Sequence, residues 1–219
     1  TKYLKFNNLI YEKVDNYILK FKDKRILGVH YRGTDKNKVG WVTNISIYEF
    51  IKILDYHLKL YKYDIIFIST DEHSFIHTMK RMYDKKYTIL FYDSEKNSQN
   101  NNSIHLNRLT IITNKIKIIK KNKNNLNNKI LLEKDLEKET KYNVLLLENV
   151  IINSLILSKC DLVLKTHSQV SAYSKIFNPN LNIYRVNACH ANLWPESYIP
   201  LYDYTNISDP EIKSLFFEE

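Results

Sequence analysis

Apolar residues recur at spacings of three and four through the first twenty positions: Leu4, Phe6, Leu9, Ile10, Val14, Tyr17, Ile18 and Phe21. That spacing predicts an amphipathic helix over 3–22. The pattern then changes. Ile26 to Val29 is an unbroken apolar run, as in a strand buried on both faces, and predicts a strand over 26–30. It stops abruptly at His30-Tyr31-Arg32-Gly33-Thr34-Asp35-Lys36. Ser46, with Glu49 three residues on, forms a capping box. It opens a helix from Ile47 to about Lys62, with Ile47, Phe50, Ile51, Leu54, Leu58 and Tyr61 on one face. A second apolar run, Ile65-Ile66-Phe67-Ile68, predicts a strand over 64–69 and ends in Thr70-Asp71-Glu72. A helix over 72–83 and a strand over 87–92 follow. Alternating strands and helices imply parallel βαβ units with right-handed crossovers.

From Asp93 to Leu106 the chain is polar, and 109–119 is apolar and basic by turns, readable as strand or helix. Residues 120–129 are low-complexity Lys and Asn, expected to be an exposed, flexible insertion. Periodic order returns at Tyr142. Residues 144–159 have little polar face, which predicts a helix buried on the sheet. Asp161 to Leu164 predicts a strand, and Thr166-His167-Ser168-Gln169 is the polar cluster at its end. A helix over 170–177 is stopped by Asn178-Pro179-Asn180, and 181–186 predicts a last strand. The tail from Asn187 onward holds three prolines and Trp194 and is expected to wrap the surface. The fold class expected is α/β, one Rossmann-like parallel sheet flanked by helices, formed by a single domain over 1–219.

Composition narrows this picture in three ways. A hydrophobic content of 44% supports a packed core, while no apolar run approaches the roughly 20 residues of a membrane helix. The net charge of +9 is concentrated between Lys115 and Lys141 and admits nucleic acid, an anionic small molecule or plain solvation. No aromatic residue interleaves that run to stack on bases, so nucleic acid is disfavoured. Two cysteines, Cys160 and Cys189, make no disulfide framework, and Cys160 reads as a small buried hydrophobe. The chain begins at Thr1 and is read as a candidate fragment, so compartment stays open.

Three strand ends carry reactive side chains: His30, Arg32, Asp35 and Lys36; Asp71 and Glu72; Thr166, His167, Ser168 and Gln169. In a parallel sheet these ends lie along one edge, where open α/β folds bind ligands. Arg32 suits a phosphate because its planar fork donates two parallel hydrogen bonds. Gly33 admits a close backbone approach, and Gly28 and Gly33 are two of only three glycines in the chain. The third cluster offers hydroxyls and amides at a helix N-terminus, itself an anion site. The inventory fits a diphosphate better than a metal: no C-x-x-C pair exists, and the H-x-x-x-H spacing of His73 and His77 falls outside these three clusters. Neither a Walker A loop, nor G-x-G-x-x-G, nor a G-x-S-x-G elbow is present. Each candidate also has a plain structural reading. His30 suits a core histidine, Asp71, Glu72 and Ser168 suit helix caps, and His105 stands isolated in a polar stretch.

The stretch Gly28-Val29-His30-Tyr31-Arg32-Gly33-Thr34-Asp35-Lys36 resembles the G-V-H-x-R-x-T-D-K signature of the fucosyltransferase superfamily. Three more stretches follow in the order found in the α1,6-type members. Ile68-Ser69-Thr70-Asp71-Glu72 is similar to their A-T-D-D strand end. Leu157-Ser158-Lys159-Cys160-Asp161-Leu162-Val163 is similar to L-S-x-x-D, and Thr166-His167-Ser168-Gln169-Val170 to S-S-Q-V. The resemblance covers roughly 24–190. It implies the nucleotide-sugar half of a GT-B glycosyltransferase, with the acceptor half outside this sequence. It implies inverting, metal-independent transfer of fucose from GDP-fucose to a glycan or protein acceptor. It puts Arg32, Asp35 and Lys36 at the catalytic centre, Arg32 on the β-phosphate. Donor-binding residues by resemblance are His30, Arg32, Gly33, Asp71, Glu72, His105, Asn153, Thr166, Ser168 and Gln169. No cofactor beyond the donor substrate is implied.

The chain departs from that pattern at three positions. Gly33 stands where the α1,6-type enzymes have a second arginine, and Gly40 where an acidic residue follows the motif. Asn153 stands where an aspartate reads guanine, and Glu148 in the same segment is an alternative acid. The general base and the donor base are therefore left open. A non-catalytic nucleotide-sugar-binding domain of a larger protein is the second reading, and a nucleic-acid-binding domain the third.

Overall fold

The central strand of the sheet is held at its start by its neighbours' acids. Asp64 accepts a hydrogen bond from the Arg25 N–H at 2.8 Å, and Asp161 from the Ile26 N–H at 2.6 Å. Each aspartate directly precedes a strand that pairs with the one beginning at Ile26, so the three strands start level. The structure, a computed structural model, describes residues 5–33, 45–92, 144–186 and 202–203. Asp35, Lys36, His105, Cys189 and the Lys/Asn-rich segment near 120–129 lie outside the described residues.

In chain order the elements are α1 (Asn8–Ile18), a 3₁₀ turn (Leu19–Phe21), β1 (Ile26–Tyr31), α2 (Ile47–Leu60), β2 (Ile65–Thr70), α3 (His73–Tyr83) and β3 (Thr88–Phe91). They continue with α4 (144–157), β4 (Leu162–Lys165), α5 (Gln169–Phe177), β5 (Asn182–Arg185) and β6 (Tyr202–Asp203). The sheet order is β3-β2-β1-β4-β5-β6, and every pair is parallel. This is a doubly wound, Rossmann-like α/β sheet. The chain winds outward to one side through β2 and β3, then returns to the other side of β1 through β4 and β5. The direction reverses between β1 and β4, which opens a crevice outside their carboxyl ends.

Alternation along β1 feeds two separate cores. Leu27, Val29 and Tyr31 point to the face covered by α2 and α3, packing with Phe50, Leu54, Phe75 and Met79. Ile26 points to the other face, with Phe67, Val163 and Ile183 beneath α1 and α4. Gly28 lies on this second face. A Cβ there would sit 2.9 Å from Val163 Cγ2, 3.0 Å from Cys160 Sγ and 3.1 Å from Leu157 Cδ2, so its absence lets α4 settle close on the sheet.

Local signals explain the helix starts. The Asn7 side chain accepts from the Leu9 N–H at 3.1 Å and begins α1. The expected capping box of α2 is present: Glu49 N–H donates to Ser46 Oγ, and Ser46 N–H to Glu49 Oε2. Two expectations need correcting. The helix over 144–159 buries only its second half, Ile152 and Leu155–Leu157, while Val144, Leu145 and Leu147 are exposed. Its apolar composition exceeds what the sheet beneath it covers. Part of the tail does not merely wrap the surface, because Tyr202–Asp203 adds a sixth strand beside β5.

Candidate functional site

The parallel register sets side chains of neighbouring strands in one row. His30 lies opposite Ser69 on β2 and Lys165 on β4, and Lys165 opposite Arg185 on β5. These four occupy the last level of the sheet, on the α4 side, where the apolar core gives way to polar groups. His30 is 4% exposed and Lys165 fully buried. Burial, then the charges of Lys165 and Arg32, push the His30 imidazole well below its usual range. His30 is therefore a neutral ring, and positive charge at this edge comes from the lysine and the arginines. Its Nδ1 is buried with no hydrogen-bond partner among the described residues.

Arg32 leaves β1 into the crevice. Its backbone N–H donates to Thr166 Oγ1 at 2.8 Å, and the Thr166 N–H donates to the His30 carbonyl at 2.9 Å. Thr166 thus ties the two strand ends together and fixes the backbone of Arg32. The Arg32 guanidinium faces Asp71 across the β2 end, Nε to Oδ2 at 3.8 Å, a distance of ion pairing and not of hydrogen bonding.

Glu72 is the N-cap residue of α3, but its side chain makes no capping bond. Instead its carboxyl folds over Gly33. A Cβ on Gly33 would collide with Glu72 Oε1, so glycine is what leaves room for the acid. Glu72 accepts a long 3.4 Å bond from Ser74 Oγ and is 8% exposed. Burial, followed by the negative charge of Asp71, raises its pKa.

Ser168 is likewise the N-cap residue of α5 without a side-chain cap bond. Its Oγ is 1% exposed at the residue level and has no partner among the described residues. Gln169 opens the helix. Ser154 Oγ on α4 donates to the Val170 carbonyl at 2.7 Å, which seats the first turn of α5.

His30, Arg32, Gly33, Asp71, Glu72, Thr166, Ser168 and the backbone of Gln169 accordingly sit on adjacent strand ends around the switch point. Asn153 sits apart on α4, next to Ser154, and its amide N–H donates to the Asn149 carbonyl of its own helix at 2.8 Å. Glu148 is engaged by Lys13 of α1 at 3.0 Å. Sequence reasoning missed Lys165. The available signal was a lysine closing the apolar strand Leu162-Val163-Leu164, directly before Thr166. A cavity of about 700 Å³ opens at the opposite edge, lined by exposed Lys20, Lys24, Lys80, Lys85 and Lys86 with Asp64 and Asp84. It holds none of the strand-end residues.

Fold and site together define a Rossmann-like α/β domain with a polar, cationic crevice at its topological switch point. No protein-family profile matches the chain, and no curated protein sequence does. Among solved structures the chain is similar to NodZ α-1,6-fucosyltransferase soaked with GDP-fucose, at 12% identity and a TM-score of 0.46. The match covers 83% of this chain and 45% of the fucosyltransferase, so the chain spans less than half of that protein's length. It is a likeness of chain path and transfers no residue role.

Proposed function

We propose that the chain is the donor-binding domain of an inverting glycosyltransferase that uses a nucleoside-diphosphate sugar, with GDP-fucose as donor. One observation carries this reading. Arg32 is bonded through its N–H to Thr166 at the end of β4, two residues before the buried Ser168 Oγ, unpartnered among the described residues, and the N-terminus of α5, a setting that offers a diphosphate a cation, a hydroxyl and helix N–H groups. The resemblance of 28–36 to the fucosyltransferase signature supplies the sugar and the base.

On this reading Arg32 grips the β-phosphate and Thr166 keeps its backbone in place. Neutral His30 offers a hydrogen bond without adding charge. An acceptor hydroxyl attacks the anomeric carbon from the face opposite the diphosphate. The carbon–oxygen bond to the β-phosphate breaks, and its electron pair leaves on the phosphate beside Arg32. Positive charge already in place stabilises that leaving group as charge develops. The acceptor is a glycan or protein hydroxyl.

Titration calorimetry of the 219-residue chain with GDP, UDP and ADP tests the reading. GDP should bind about tenfold or more tightly than the others, a difference of about 1.4 kcal/mol. Equal affinities would remove the guanine assignment. No binding of any of the three would remove the nucleotide-sugar reading altogether.

A further inference from the structure

Two carboxylates end β2, and their surroundings set them to different work. Asp71 faces the Arg32 guanidinium at 3.8 Å and has a cation to serve. Glu72 has no ion-pair partner among the described residues, only the long bond from Ser74. It is buried, and it lies over Gly33, the residue after Arg32. Strands β1 and β2 run side by side with Tyr31 opposite Thr70, so the register carried past the strand ends sets Arg32 against Asp71 and Gly33 against Glu72, on the next step along the same edge. A sugar whose diphosphate is held by Arg32 has its anomeric carbon one oxygen away from the phosphate. Glu72 is thus an acid within reach of a nucleophile approaching that carbon.

We propose that Glu72 is the general base of the transfer. Its carboxylate takes the proton of the attacking hydroxyl, or of water in the absence of an acceptor. The oxygen then bonds to the anomeric carbon while the bond to the β-phosphate breaks and its electrons leave with the diphosphate. The proposal rests on the donor-binding reading above. Several features favour Glu72 over its neighbour. A carboxylate neutralised by a guanidinium is a poor proton acceptor, whereas a desolvated one beside a like charge is a better base. The α3 N-cap position does not consume it, since it makes no capping bond. Gly33 is the small residue that lets the carboxyl reach this place. The charged and titratable groups that face it are Asp71, next to it in the chain, and the Tyr31 phenol of β1, on which Asp71 and Glu49 of α2 also act; Arg32, just past β1, faces Asp71. Ser74 is its contact on α3.

The test is Glu72→Gln in the full 219-residue chain, with GDP-fucose as the probe. Calorimetry reads donor binding, and release of GDP reads hydrolysis. The variant keeps the shape of the side chain, and circular dichroism checks its fold. Donor affinity should stay within a few-fold of the parent, while hydrolysis at saturating donor falls about 100-fold. The parent's rate should rise with pH through an inflection above the ordinary carboxylate value, and that limb should vanish in the variant. Unchanged hydrolysis, or lost affinity with an unchanged saturated rate, overturns the role of Glu72. So does a parent that binds GDP-fucose and never turns it over. A parent that binds no nucleotide sugar overturns the donor-binding reading itself, a result separate from these.

Discussion

Arg32 is held by its backbone and aimed by its neighbours. Its N–H is fixed by Thr166 and its guanidinium is faced by Asp71. Charge-assisted hydrogen bonds contribute about 1.5–3 kcal/mol each, so Arg32→Ala should weaken GDP binding about 10- to 100-fold by calorimetry. Arg32→Lys should recover only part of the loss, because an ammonium lacks the fork that matches two phosphate oxygens. Affinity unchanged in Arg32→Ala would exclude it as the diphosphate grip. At this scale the sequence is informative where the proposed role rests on the residue type itself, as it does for Arg32. It was silent about Lys165, which reads as an ordinary strand end until register sets it beside His30. It was ambiguous about Glu72 and Ser168, because a cap and a ligand residue look alike until the side-chain bonds are seen.

Elements were legible where their periodicity and punctuation agree. The capping box at Ser46 and Glu49 marks α2, and the apolar runs mark β1 and β2. Two substitutions separate local from tertiary contributions. Ser46→Ala removes one cap and should cost about 1 kcal/mol in urea denaturation. Gly28→Ala puts a methyl against Val163, Cys160 and Leu157 and should cost about 1–3 kcal/mol, more than the cap. A Gly28→Ala protein as stable as its parent would show that α4 can move off the sheet freely. The apolar composition of 144–159 predicts a helix buried on the sheet, because composition alone does not reveal how much of its length is covered. The exposed Val144, Leu145 and Leu147 are the result.

The described fold buries three imidazoles, His30, His57 and His167, and the first two work against stability in acid. Burial lowers His57 to about 4, and burial with neighbouring cations lowers His30 well below 6.5. Below pH 6.5 the unfolded chain binds protons on these rings while the folded chain does not. Stability complete above 6.5 is therefore lost as pH falls toward 4. The His57 displacement corresponds to on the order of 3 kcal/mol. Glu72, raised by burial, works in the opposite direction by favouring its neutral form in the fold. His57→Phe should flatten the acid limb of a stability-versus-pH curve measured by urea denaturation, whatever it does to absolute stability. An equally steep limb in the variant would exclude His57 as a source. No helix among the described residues is long and apolar enough to cross a membrane.

The sequence alone determined the α/β alternation, the strand ends and the identity of Arg32, because periodicity and residue chemistry are local properties. Which strand ends become neighbours is a matter of sheet order, which depends on contacts far apart in the chain. Only the tertiary structure put β4 beside β1 and so created the switch point. Only it placed the Glu72 carboxyl over Gly33, between residues 39 positions apart, and left that acid, among the described residues, without the cation its neighbour has.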